Sequence, residues 1–147
     1  MDNHRLQGQR RQRLVSLMKQ GVAVVRTAPE RARNRDSNYP YRFDSYFHYL
    51  SGFPEPDSVL VLVAGVKPKC ILFCREKSPE REIWDGFRYG PEQAREIFGF
   101  EEAHSISDLD ALMPELLADQ PAVFCDVGSD GAWDGRVIGW INKVRAQ

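Results

Sequence analysis

The 147-residue sequence predicts a single α/β domain, a mixed β-sheet with flanking helices, and three observations carry that reading. Stretches with helical apolar spacing alternate with short β-branched runs, the pattern of helices packed on a sheet. Two apolar runs, Ser58 to Ala64 and Lys69 to Cys74, are joined only by Gly65-Val66-Lys67-Pro68, which makes them an antiparallel hairpin. A hairpin within an alternating chain makes the sheet mixed. The length sets one domain, able to bury roughly 70% of the surface its unfolded chain exposes.

The elements follow in order. Leu6 to Gln20 reads as a helix, with Leu14, Leu17 and Met18 at i, i+3 and i+4 and Gly21 as a stop. Val22 to Thr27 is a β-branched run and a buried strand. Ala28 to Pro56 is long and mostly irregular, with a turn or two of helix over Ser45 to Leu50. After the hairpin, Pro91 to Phe98 is a short helix with proline in its first turn. Leu109, Leu112, Met113, Leu116 and Leu117 match the helical template, with Ser107 as the candidate N-cap. Pro114 inside that stretch either kinks the helix or moves its start. Ala122 to Asp126 is a further strand, and Arg136 to Arg145 a final amphipathic helix.

Composition narrows the function. Hydrophobic residues make up 42% and charged residues 28%, with a net charge of −1, so nothing calls for nucleic acid or an acidic membrane. Arg5, Arg10, Arg11 and Arg13 read as the solvated face of the first helix. No apolar run reaches the roughly 18 residues needed to cross a bilayer, and the N-terminus has no secretion-signal core. Cys70, Cys74 and Cys125 contain no CxxC pair. Cys70 and Cys74 fall on one face of a strand as reduced core thiols, in keeping with a cytoplasmic protein.

The chain carries no catalytic or metal constellation. His4, His48 and His104 are scattered, and His48 reads as packed among aromatics. Asp126, Asp130 and Asp134 with Gly131 have the spacing of a calcium loop, but Gly128 and Val137 stand where two ligands belong. That segment is better read as a turn after a strand, with Asp134 or a neighbour capping the last helix.

The densest information lies in Asp36 to Pro56, where seven of 21 residues are Tyr or Phe and three are proline. Such a stretch needs partners to bury against while its prolines forbid one long helix. It is either a rigid contact surface or an aromatic satellite core. Asp36, between Arg35 and Arg42, either forms a turn or helps fix the amino terminus of a bound substrate. Trp84, ahead of Asp85-Gly86, either covers a ligand at the end of an element or packs in the core. Arg88 either holds a peptide carboxylate or carbonyl, or pairs locally with an acid such as Glu92.

Two blocks resemble a known family. Asp36-Ser37-Asn38-Tyr39-Pro40-Tyr41-Arg42, followed by His48-Tyr49-Leu50-Ser51-Gly52-Phe53-Pro54-Glu55-Pro56, resembles the entry motif of the N-terminal domain of Xaa-Pro aminopeptidases (aminopeptidase P). Ile83-Trp84-Asp85-Gly86-Phe87-Arg88-Tyr89-Gly90 is similar to that family's second block. Tyr46 stands where the pattern often has an aspartate, so an ion pair from there to Arg42 is not carried over.

The resemblance implies a ribonuclease-H-like sheet shared with creatinase and prolidase N-terminal domains. It implies that residues 1–147 form a single non-catalytic N-terminal domain, with no catalytic or metal-binding residues of its own. The catalytic domain, with two divalent ions, usually manganese, would follow Val144-Arg145-Ala146-Gln147. The domain would then oligomerise and gate entry of short proline-containing peptides. Its partners would be its own catalytic domain and neighbouring subunits, with Asp36, Tyr39, Arg42, Trp84 and Arg88 as substrate-binding positions. The alternatives are the N-terminal domain of a prolidase or creatinase, or a stand-alone protein-binding module.

Overall fold

The computed structural model describes residues 2–27, 42–126 and 130–146. Within them a five-stranded mixed sheet runs in the order β4-β3-β2-β1-β5. Its strands are β1 (Gly21–Arg26), β2 (Val59–Ala64), β3 (Lys69–Cys74), β4 (Glu102–Ser105) and β5 (Val123–Cys125). The expected hairpin is the antiparallel pair β2–β3, with Val59 opposite Phe73 and Val63 opposite Lys69. β1 also runs antiparallel to β2, whereas β4 joins β3 and β5 joins β1 in parallel.

Alternation along β2 explains why the sheet needs helices on both faces. Leu60, Leu62 and Ala64 enter one core, packing with helices α1 (Asp2–Met18), α2 (Arg42–Ser51) and α4 (Gly90–Phe98) through Val15, Phe47, Leu50, Ala94 and Phe98. Val59, Val61 and Val63 enter the other, against α5 (Leu109–Leu117) and α6 (Gly131–Arg145). There Leu109, Met113 and Leu117 face Trp133, Val137 and Trp140, each set at helical spacing. Cys70 and Cys74 lie buried on the first face as free thiols, as expected from their spacing.

Several expectations are corrected. The first helix begins at Asp2, and its buried stripe is Gln7, Arg11 and Val15, while Leu17 is 73% exposed. Arg11 is not on a solvated face. Its guanidinium donates to Leu50 O at 2.9 Å, Gly99 O at 3.2 Å and Phe98 O at 3.4 Å, and lies 4.5 Å from the Phe100 ring centroid. One cation thus satisfies carbonyls at the C-terminal ends of both α2 and α4, where helices leave acceptors unpaired and carry partial negative charge. His48 is exposed on α2 rather than packed among aromatics.

Two elements were not anticipated. β4, Glu-Ala-His-Ser, has no apolar pattern and owes its conformation to pairing with β3. Helix α3 (Pro79–Asp85) starts at Ser78, whose hydroxyl accepts the Arg81 N–H, and has proline in its first turn. Ser107 does not cap α5. Ser105 instead caps a short 3-10 turn over Ile106–Asp108, and Asp108 precedes the α-helix without a side-chain cap bond. Pro114 does not move the start of α5; it stays inside the helix and removes one backbone donor. The cap of α6 is Asp130, which accepts the Ala132 N–H at 3.0 Å and the Trp133 N–H at 3.4 Å and pairs with Arg26 at 3.3 Å. Of the two positions that spoil the calcium-loop spacing, Gly128 lies outside the described residues and Val137 is buried in the core.

Candidate functional site: an arm that carries Trp84

Residues 75–90 leave β3, form α3 and return into α4 as an arm. Three of its apolar side chains face outward: Trp84 is 84% exposed, Ile83 78% and Phe87 59%. Large rings and aliphatic chains grouped in this way on a surface mark a contact site more often than a chance exposure.

The base of the arm is fastened to the first sequence block. Glu55, almost fully buried, accepts the Tyr89 N–H at 2.7 Å and pairs with Arg75 at 3.5 Å, so one carboxylate touches both legs. Phe53 packs at a tilt 5.8 Å from Tyr89 and edge-on to Phe98 at 5.2 Å. Ser51, wholly buried, accepts the Phe53 N–H at 3.0 Å and donates to Phe47 O at 2.7 Å, ending α2 and turning the chain toward Glu55. Among the described residues, Phe53 and Glu55 of the first block are therefore in direct contact with Tyr89 of the second.

Within the arm, Lys77 Nζ donates to Glu82 Oε1 at 2.9 Å and to Arg88 O at 2.8 Å, and lies 4.1 Å from the Phe87 ring centroid. Glu82 Oε1 also accepts the Arg88 N–H at 3.0 Å. The Arg88 N–H first, and Lys77 with it, hold the Glu82 carboxyl below its usual range. Gly90, at φ +79°, is required where it stands: a Cβ there would lie 2.9 Å from Lys77 Cβ.

The predicted site residues fare differently. Trp84 is at the exposed end of the arm. Arg88 is buried, its Nη1 donating to Glu76 O at 3.5 Å. Arg42 begins α2, but its side chain is not among those described, and Asp36 and Tyr39 lie outside the described residues. Glu55, Lys77 and Glu82 were not singled out from the sequence, although the adjacent Ser78-Pro79-Glu80 run signals a helix start.

Elsewhere, a mainly apolar cleft of ≈ 510 Å³ is lined by Leu14, Met18, Val25, Tyr46, Phe124 and Trp133 among others; neither Trp84 nor Arg88 lines it. Among the described residues no three His, Cys, Asp or Glu side chains group so as to hold a metal ion. A two-metal centre does not fit these residues. No helix among them is long and apolar enough to cross a membrane.

Residues 8–124 match the family model described as aminopeptidase P, N-terminal domain. The chain belongs to that family. It is 37% identical over 139 residues to the Xaa-Pro aminopeptidase of Escherichia coli, covering 92% of this chain and 32% of that protein. It is 36% identical over 118 residues to the Xaa-Pro aminopeptidase of Haemophilus influenzae, covering 79% and 27%. The Pseudomonas aeruginosa aminopeptidase PepP structure superposes with a TM-score of 0.85 at 39% identity over 97% of this chain and 33% of that one. A variant of E. coli aminopeptidase P in complex with substrate also gives 0.85, at 35% identity and the same coverage. The chain thus spans about a third of the length of these family members, and its mixed sheet flanked by helices is the family's α/β fold.

Proposed function

We propose that this chain serves as the oligomerising and substrate-gating domain of a proline-specific metalloaminopeptidase. The whole protein releases the N-terminal residue from peptides whose second residue is proline. Its partners are its own catalytic domain, neighbouring copies of the same protein and short proline-containing peptides, and it acts in the cytoplasm. Hydrolysis belongs to a separate domain that holds two divalent ions, manganese in the first instance. Two such cations would supply water activation and stabilisation of developing negative charge there.

The observation that carries this reading is the arm itself: an indole 84% exposed, held away from the core by a buried carboxylate in the neighbouring block. A flat apolar ring in that position suits packing against a proline ring or walling a neighbouring subunit's pocket.

The test uses the full-length enzyme. Trp84→Ala is expected to lower hydrolysis of Xaa-Pro-Yaa tripeptides at least tenfold while bound metal stays at the wild-type level. Wild-type turnover by that variant would overturn the gating role. Manganese-stimulated turnover by the pure 147-residue chain would overturn its non-catalytic assignment.

A further inference from the structure

Helix α3 has seven residues, and none of those described is buried, so hydrophobic packing does not account for it. An isolated helix of that length does not persist in water. What remains is polar: the Ser78 cap and the cluster made by Lys77, Glu82 and the Arg88 backbone. Lys77 lies in the outgoing leg, Glu82 in the helix and Arg88 in the returning leg, so this cluster joins all three parts of the arm. Glu82 and Trp84 are two positions apart on one helix, about 200° around its axis. The carboxylate is turned inward, its side chain 15% exposed, as the indole is turned out.

We propose that Lys77 and Glu82 are positioning residues that fix the direction in which Trp84 leaves the domain. This rests on the reading of Trp84 as a contact residue and extends it to two positions outside both sequence blocks. The ion pair does not touch the partner; it holds the short helix in one orientation so that the indole is presented without a search through conformations. That order is established before binding rather than during it.

The experiment uses the 147-residue chain labelled with fluorotryptophan and observed by fluorine NMR. Trp133 and Trp140 are 7% and 2% exposed and report on the core, while Trp84 reports on the arm. In Lys77→Met and Glu82→Ala the Trp84 line should narrow and move toward its position in urea, with the other two lines unchanged. Glu82→Gln keeps an oxygen that can accept from both Arg88 and Lys77, and should restore the Trp84 line toward its wild-type position.

An unmoved Trp84 line in both Lys77→Met and Glu82→Ala would overturn the proposal. So would collapse of all three lines in both, because the pair would then support the whole fold rather than the arm. No peptide is turned over in this measurement, so it stands apart from the activity test of Trp84→Ala. A mobile Trp84 line combined with full activity in Trp84→Ala would keep the positioning role and remove the contact reading.

Discussion

Glu55 Oε2 accepts the Tyr89 N–H at 2.7 Å, across 34 residues of sequence, and its other oxygen pairs with Arg75. A buried carboxylate with a charged partner and a backbone donor is costly to remove, because both are left without it. Glu55→Ala should therefore destabilise the domain by about 2 kcal/mol, and Glu55→Gln by less, since its amide oxygen still accepts. Urea unfolding midpoints for the two variants check the order.

Arg11 presents a larger case. Arg11→Met keeps most of the apolar stem but strips the carbonyls of Leu50, Phe98 and Gly99 of their donor. The expected loss is about 3 kcal/mol, a sizeable part of the roughly 5–15 kcal/mol that holds a domain folded. Chemical denaturation should show the midpoint falling with little change in slope.

Acid should weaken the fold through two carboxylates. Glu82 is held below its ordinary value by the Arg88 N–H and by Lys77, and Glu102 by Lys69 first and then His104. A lowered folded-state value means the unfolded chain binds more protons in this range, so stability rises with pH there. Their contribution is complete above the ordinary value of 4.5 and is lost as pH falls through the lowered folded values. Thermal melts between pH 7 and pH 3 should hold level at first and then drop. Glu102→Gln should flatten part of that drop.

The thiols should react unequally. Burial pushes Cys70 up to about 11 and Cys74 up to about 12, leaving at most roughly one part in 10⁴ of either as thiolate at neutral pH. Cys125 on β5 is only partly buried. A maleimide at neutral pH should therefore label Cys125 first in the folded protein, and all three thiols only in denaturant, as mass spectrometry of the peptides would show.

Legibility followed the physics of each element. The β2–β3 hairpin could be read because both strands are covered on two faces and so are apolar apart from Lys69 at the start of β3, with a glycine-to-proline turn between. β4 could not, since Glu102-Ala103-His104-Ser105 takes its conformation from the neighbouring strand rather than from its own side chains. Arg11 looks like any surface arginine until Leu50, Phe98 and Gly99 are placed beside it. In the site, Trp84 was legible as a ring at the end of an element. The burial of Arg88 was not, because its carbonyl acceptor at Glu76 is supplied by the fold of the arm. Helix α3 was marked by Ser78-Pro79-Glu80, but its short span hid any apolar period.

The carbonyls that Arg11 holds also set an order of events during synthesis. Arg11 leaves the ribosome before Gly99, which follows 88 residues later. At about 5–20 residues per second, that is an interval of roughly 4–18 s. Throughout it, the first helix has its sequence but not its full set of partners. The segment that carries Arg11 is thus made well before it is secured.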